Sequence, residues 1–175
     1  MAKAPAALTL AGAFILIGTS CGPDPDQSRW MLQVDTVGSD VDGGVRLAAT
    51  LELPGEDGLA GKPRDKEVRL RFECRRGTGA FAALLTTRSL ASGSASLRFK
   101  LDSLPPYSAP AATGKFGEWG MVYISQWSEL LDRLRGHRSL LVEYSAGRAP
   151  GAVAEFPVTG IDSVRPLFLA ACAKQ

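Results

Sequence analysis

The stretch Val45–Leu53, VRLAATLEL, decides the fold, because Val45, Leu47, Ala49, Leu51 and Leu53 alternate with Arg46, Ala48, Thr50 and Glu52. A period of two puts alternate side chains on opposite faces of a strand, so this segment reads as a strand with one face in a core. The same alternation recurs at Val68, Leu70, Phe72 and Cys74 against Arg69, Arg71 and Glu73. It recurs again in Leu97–Leu101, Leu140–Tyr144 and Ala152–Val158. Asp42-Gly43 is a hairpin-type turn that would pair the first of these strands with one over Trp30–Val37. Pro54–Lys66, rich in Gly, Pro and charge, reads as a long loop. Gly77-Thr-Gly-Ala80 reads as a turn, since it lacks the third glycine and the acidic residue of a dinucleotide fingerprint.

Two helices are expected among these strands. Trp127, Leu130, Leu131 and Leu134 fall at i, i+3, i+4 and i+7, with Ser125 placed to cap the start and Gly136 the end. Glu129 and Arg133 sit four apart on the outer face, a pairing that asks for no functional explanation. A last helix spans about Asp162–Ala173 and presents Ile161, Val164, Phe168, Ala171 and Cys172 to the core. Pro166 restricts it to a short run, because proline is tolerated only in a first turn. The expected architecture is therefore mainly β: an antiparallel sandwich or partly open barrel with two short helices. With 19 Gly and 11 Pro, the composition fits strands joined by turns.

The N-terminus carries an address. Lys3 is a positive start, Leu8–Ile17 an apolar run, and Gly18-Thr-Ser-Cys21 a small-residue cleavage site. The apolar run is about half the ~20 residues of a membrane-spanning helix. Residues 1–21 resemble a bacterial lipoprotein signal peptide with Cys21 as the acylated residue, although Gly18 stands where that signal usually has Leu. An ordinary secretory signal cut near Ser20 would instead leave Cys21 a plain thiol. Residues 22–29, with two prolines and no apolar anchor, read as a tether, and 30–175 as a single periplasmic domain. Gly22 takes the place of the aspartate that retains lipoproteins at the inner membrane, so the periplasmic leaflet of the outer membrane is the expected location, with a soluble periplasmic protein as the alternative.

The remaining cysteines agree with export. With Cys21 set aside, Cys74 and Cys172 form an even pair in an oxidising compartment, whereas in a cytosolic protein they would be two free buried thiols. A bridge between them would close a loop of roughly a hundred residues and contribute ~4 to 5 kcal/mol by chain entropy.

Composition excludes more chemistry than it suggests. The formal charge of +2 falls by one with Lys3, which leaves no electrostatic footprint for nucleic acid. Arg75-Arg76 reads as a solvated strand end. The one histidine, His137, lies in an Arg-flanked turn, where it suits a cap better than a catalytic base. The scattered His and Cys lack zinc spacing. Asp35, Asp40 and Asp42 lack the downstream Glu of a calcium loop, so they read as a polar hairpin tip. No catalytic residue, metal or cofactor is expected. Trp119, Tyr123 and Trp127 are mostly packing residues by type, but they are the candidates for a ligand or partner groove.

The order of elements resembles the type VI secretion-associated TagO/VasI family of exported envelope proteins. The features that carry it are Leu70–Gly77 with its cysteine, Leu97–Lys100, the Trp-bearing strand, the short helix, Ser139–Tyr144, and Ala154–Asp162 followed by a helix ending in Cys172. The resemblance spans about Trp30–Cys172 and implies a disulfide-bonded β-rich periplasmic domain with an accessory, protein-binding role and no active site. Glu73 and Ala173 depart from the residues usual beside those cysteines. The expected function is an envelope-anchored adaptor, with exposed strand edges available to a partner. Alternatives are a small-ligand or glycan-binding module with Pro54–Lys66 as its lid, and an inhibitor or immunity lipoprotein using Leu104–Tyr107 as a plug.

Overall fold

The computed structural model describes residues 29–38, 45–59, 66–75, 79–146 and 151–173. The signal segment with Cys21, the tether up to residue 28, and Asp40 and Asp42 lie outside the described residues. The chain runs β1 (Met31–Gly38), β2 (Val45–Leu59), β3 (Lys66–Arg75), β4 (Gly79–Thr86), β5 (Gly93–Leu101), β6 (Tyr107–Phe116), β7 (Trp119–Ile124), α1 (Trp127–Arg133), β8 (Ser139–Ala146), β9 (Ala152–Pro157) and α2 (Ile161–Ala173). The strands form one antiparallel sheet in the order β1-β2-β3-β4-β7-β6-β5-β8-β9, and β2 also pairs with β9. That last pairing closes eight strands into a barrel and leaves β1 as an added strand. The mainly β expectation holds, and the closed barrel is more specific than a sandwich or partly open barrel.

Strand β2 makes closure possible. Its first half pairs with β1 from Met31↔Glu52 to Gly38↔Val45, and its far end pairs with β9 from Glu56↔Glu155 to Leu59↔Ala152. The two partners follow one another along the same edge. The expected loop at Pro54–Lys66 is therefore corrected: β2 continues to Leu59 and β3 begins at Lys66. Gly55 is small because β9 crosses it closely. A Cβ there would stand 2.5 Å from both the Glu155 carbonyl and the Phe156 ring.

Alternate residues point into the barrel and fill it. Phe72, Phe99 and Phe156 are fully buried there with Leu51, Leu70 and Leu97. Each such side chain contributes about 1.5 to 3 kcal/mol by leaving water. Strands β4 and β6 carry no clean alternation. Ala82 and Leu84 of β4 face the main core while Ala83 and Leu85 belong to a second apolar cluster with Met121, so both faces are covered.

The helices close the assembly. α1 buries Leu130 and Leu131, and Gly136 in the turn behind it adopts φ 72°. Its expected cap is corrected: Gln126 occupies the N-cap with no side-chain bond, and Ser125 Oγ instead donates to the Pro110 carbonyl at 3.1 Å. α2 is longer than its proline suggested, 13 residues, with Pro166 in its interior. Packing of Ile161 and Phe168 into the core, together with the Cys74–Cys172 disulfide, holds it in place. Tertiary burial here outweighs the helix bond that proline removes.

Candidate functional site

The outer face of β3, β4 and β7 is organised by register. Arg71 lies opposite Ala83, which lies opposite Tyr123, and Arg69 lies opposite Leu85, which lies opposite Met121. A column of charge thus runs beside a column of apolar residues. Arg69 bonds Glu52 Oε1 at 2.9 Å and Glu67 Oε1 at 2.6 Å, while Arg71 pairs with Glu73 at 2.7 Å. Both guanidiniums also cover rings, Arg69 at 5.0 Å from the centre of Trp119 and Arg71 at 4.8 Å from that of Phe116. The Glu67 and Glu52 carboxylates raise the pKa of Arg69 against the opposing effect of burial. Glu73 is only 1% exposed, flanked by Arg71 and Arg75. Arg75, the last residue of β3, is exposed as a solvated strand end and pairs there with Glu73.

At the other edge of this face, Phe81, Tyr123 and Trp127 line a groove of about 390 Å³ together with Ala80, Pro110, Ala111 and Ala112. Phe81 meets Tyr123 edge-on at 5.8 Å between ring centres. Tyr123 lies across β6 because Gly114 leaves room for it; a Cβ there would approach its ring to 2.9 Å. Tyr123 remains 40% exposed. The expected trio is therefore split. Tyr123 and Trp127 share the groove, whereas Trp119 sits under Arg69 and lines a separate depression with the 87–90 turn. Phe81, which the sequence reading missed, takes its place. No signal marked it, since β4 was hidden behind the turn read at Gly77–Ala80.

A second missed feature lies inside the barrel. Asp57, 0% exposed, accepts hydrogen bonds from Thr86 at 3.0 Å, Arg88 Nε at 2.8 Å and the Tyr144 hydroxyl. The Tyr144 hydroxyl oxygen also lies 3.1 Å from Thr86 Oγ1. Burial, reinforced by Asp57, raises the Tyr144 pKa and keeps the phenol neutral. The group ties β2, β4 and β8 together. Asp57 falls on the core-facing parity of β2, which was legible only with that strand extended past Pro54.

His137 is half-buried in its turn, with Nδ1 2.9 Å from Asp102. Asp102 also accepts from the Arg138 and Ser139 amides and from Ser139 Oγ. The His137 contact is the largest cause holding this carboxyl at about 2. Ser139 donates to the aspartate and not to the imidazole, so these residues do not form a serine–histidine relay. Among the described residues, no three His, Cys, Asp or Glu side chains group as a metal site, and no helix is long and apolar enough to cross a membrane. Asp35, the one described member of the acidic trio, lies exposed on β1. Leu104, at the proposed plug, is exposed, while Tyr107 begins β6 and stacks on Phe99 at 5.3 Å.

No protein-family model matches this chain, and no curated protein or solved structure shows significant similarity to it.

Proposed function

We propose that this protein is an envelope-anchored accessory lipoprotein, an adaptor that binds another protein through the outer barrel face around Phe81, Tyr123 and Trp127. The observation that carries the reading is the contrast between the two sides of the barrel wall. The interior is occupied by Phe72, Phe99 and Phe156, while the outside bears an open aromatic groove beside an ordered row of Arg and Glu. Aromatic side chains and arginine are the types that anchor protein interfaces. The disulfide agrees with a non-reducing compartment, and the signal-like N-terminus supplies the route there. The resemblance to the TagO/VasI family suggests a type VI secretion assembly as the setting and the outer membrane's periplasmic leaflet as the site of anchorage.

The test is in-cell crosslinking followed by affinity capture and mass spectrometry of the native protein, Cys21→Ala and Tyr123→Ala. Envelope proteins captured by the native chain, depleted by both variants, support the adaptor. Capture indifferent to Tyr123→Ala removes the groove from the reading. No specific capture, together with glycan or small-ligand binding by the purified protein, replaces the adaptor with a ligand-binding module.

A further inference from the structure

Barrel closure leaves one strand with an unpaired edge among the described elements. β1 is the end of the sheet order and pairs with β2 alone. Proteins usually guard such edges with lysine, proline or a very short strand. β1 has eight residues, MLQVDTVG, with no Lys, Arg or Pro. Met31 and Val34 are 50% and 51% exposed, and Gln33 and Asp35 are exposed beside them.

We infer that β1 pairs antiparallel with β1 of a second copy, about a two-fold axis through Val34. The register follows from chemistry. With Val34 opposite itself, Gln33 lies opposite Asp35 of the second copy, so an amide N–H can donate to the carboxylate on each side of the axis. Moving the axis to Asp35 opposes two carboxylates, and moving it to Gln33 sets Asp35 against Met31. Like charges directly opposite destabilise a pair, and a charge facing a thioether gains nothing, so of these three registers the Val34 one is favoured. The fold supports this geometry. Val34 pairs with Ala49, and Ala49 with Cys74, whose disulfide reaches α2; Val34 and α2 therefore share one side of the sheet. A two-fold axis perpendicular to the sheet keeps both α2 helices on that side, where Leu167 is 59% exposed. The partner is a second copy of this chain because the edge is complementary to itself. This surface is separate from the groove of the adaptor reading and does not rest on it.

The experiment is thiol crosslinking of the full chain in the cells that express it. Opposed Cβ atoms in an antiparallel pair are about 4.5 to 5.5 Å apart. Val34→Cys should form a covalent dimer on mild oxidation, while Met31→Cys, equally exposed but far from its own copy, should not. Wild-type protein reports any bridge through Cys21. Purified wild type should sediment at twice the chain mass at high concentration. Val34→Lys, checked for its fold by circular dichroism and its intact disulfide, should weaken that association about tenfold or more. Equal crosslinking of both cysteine variants, no crosslinking of Val34→Cys, monomeric wild type at its highest soluble concentration, or undiminished association of Val34→Lys would each overturn the inference.

Discussion

Asp57 and Asp102 are two carboxylates held by several donors each, and they contact β8 near its opposite ends, through Tyr144 and Ser139. Asp57 is sealed inside the barrel, and its three side-chain donors come from two distant stretches of the chain, Thr86–Arg88 and Tyr144. Asp102 stands at a turn with φ 45°, and its donors come from the single segment His137–Ser139. The same functional group therefore does different physical work. In the interior, the charge is tolerable only while every partner is present, so it enforces the mutual placement of β2, β4 and β8. At the turn, water can replace a lost donor, and the carboxylate merely fastens one loop to the start of β8.

The largest test of that difference is Asp57→Ala, which strands Arg88, Thr86 and Tyr144 without their acceptor. Urea unfolding should show a loss of about 3 to 5 kcal/mol; a loss below about 1 kcal/mol would erase the distinction between the two sites. Tyr144→Phe is next, removing one donor to a buried charge, with an expected cost of about 1.5 to 3 kcal/mol in the same measurement. Asp102→Asn should cost less, about 1 kcal/mol after allowance for solvent screening, because asparagine also accepts the positive φ and only the charge is lost.

The turn site also has a pH signature. The folded Asp102 carboxyl lies at about 2, below the ordinary value of about 3.9. Its contribution is present above the ordinary value and disappears as the pH falls from about 4 to about 2. Wild-type stability should decline more steeply than that of Asp102→Asn across this window, and parallel curves would deny the carboxylate its role. The smallest effect is expected at the fully surface pair Glu129–Arg133, 2.7 Å apart on α1. Glu129→Gln should leave the unfolding midpoint unchanged within error; a clear shift would mean that exposed pairs matter here as much as enclosed ones.

Much of the barrel could be read from the chain, and what escaped did so for physical reasons. β2, β3, β5, β8 and β9 announced themselves because their two faces differ in polarity. β4 is covered on both sides and β6 is built from Ala, Pro, Ser, Thr and Gly with only a few larger side chains, so neither carries an alternating signal. The segment after Pro54 has the composition of a loop, yet its glycine serves close passage of β9 and its aspartate an internal polar group. Cys74 and Cys172 were paired by counting and are joined in the structure. The groove was half legible. Tyr123 and Trp127 stand together in it, but Trp119 is two residues beyond Met121 on β7, where the strand carries it away to Arg69. Linear proximity of aromatics did not distinguish the two ends of one strand face.

Trp30 stands at the threshold between the N-terminal segment and the barrel, 7% exposed, tilted against Phe72 and donating its indole N–H to the Val158 carbonyl at 3.3 Å. Val158 leads directly into α2, and α2 is bolted to β3 through Cys172. Tension applied at the N-terminal side of Trp30 would thus be shared between the β1–β2 zipper and a cross-tie running through the indole, the last helix and a covalent sulfur bridge. A domain built in this way can be pulled from its N-terminal end without its first strand serving as the ripcord.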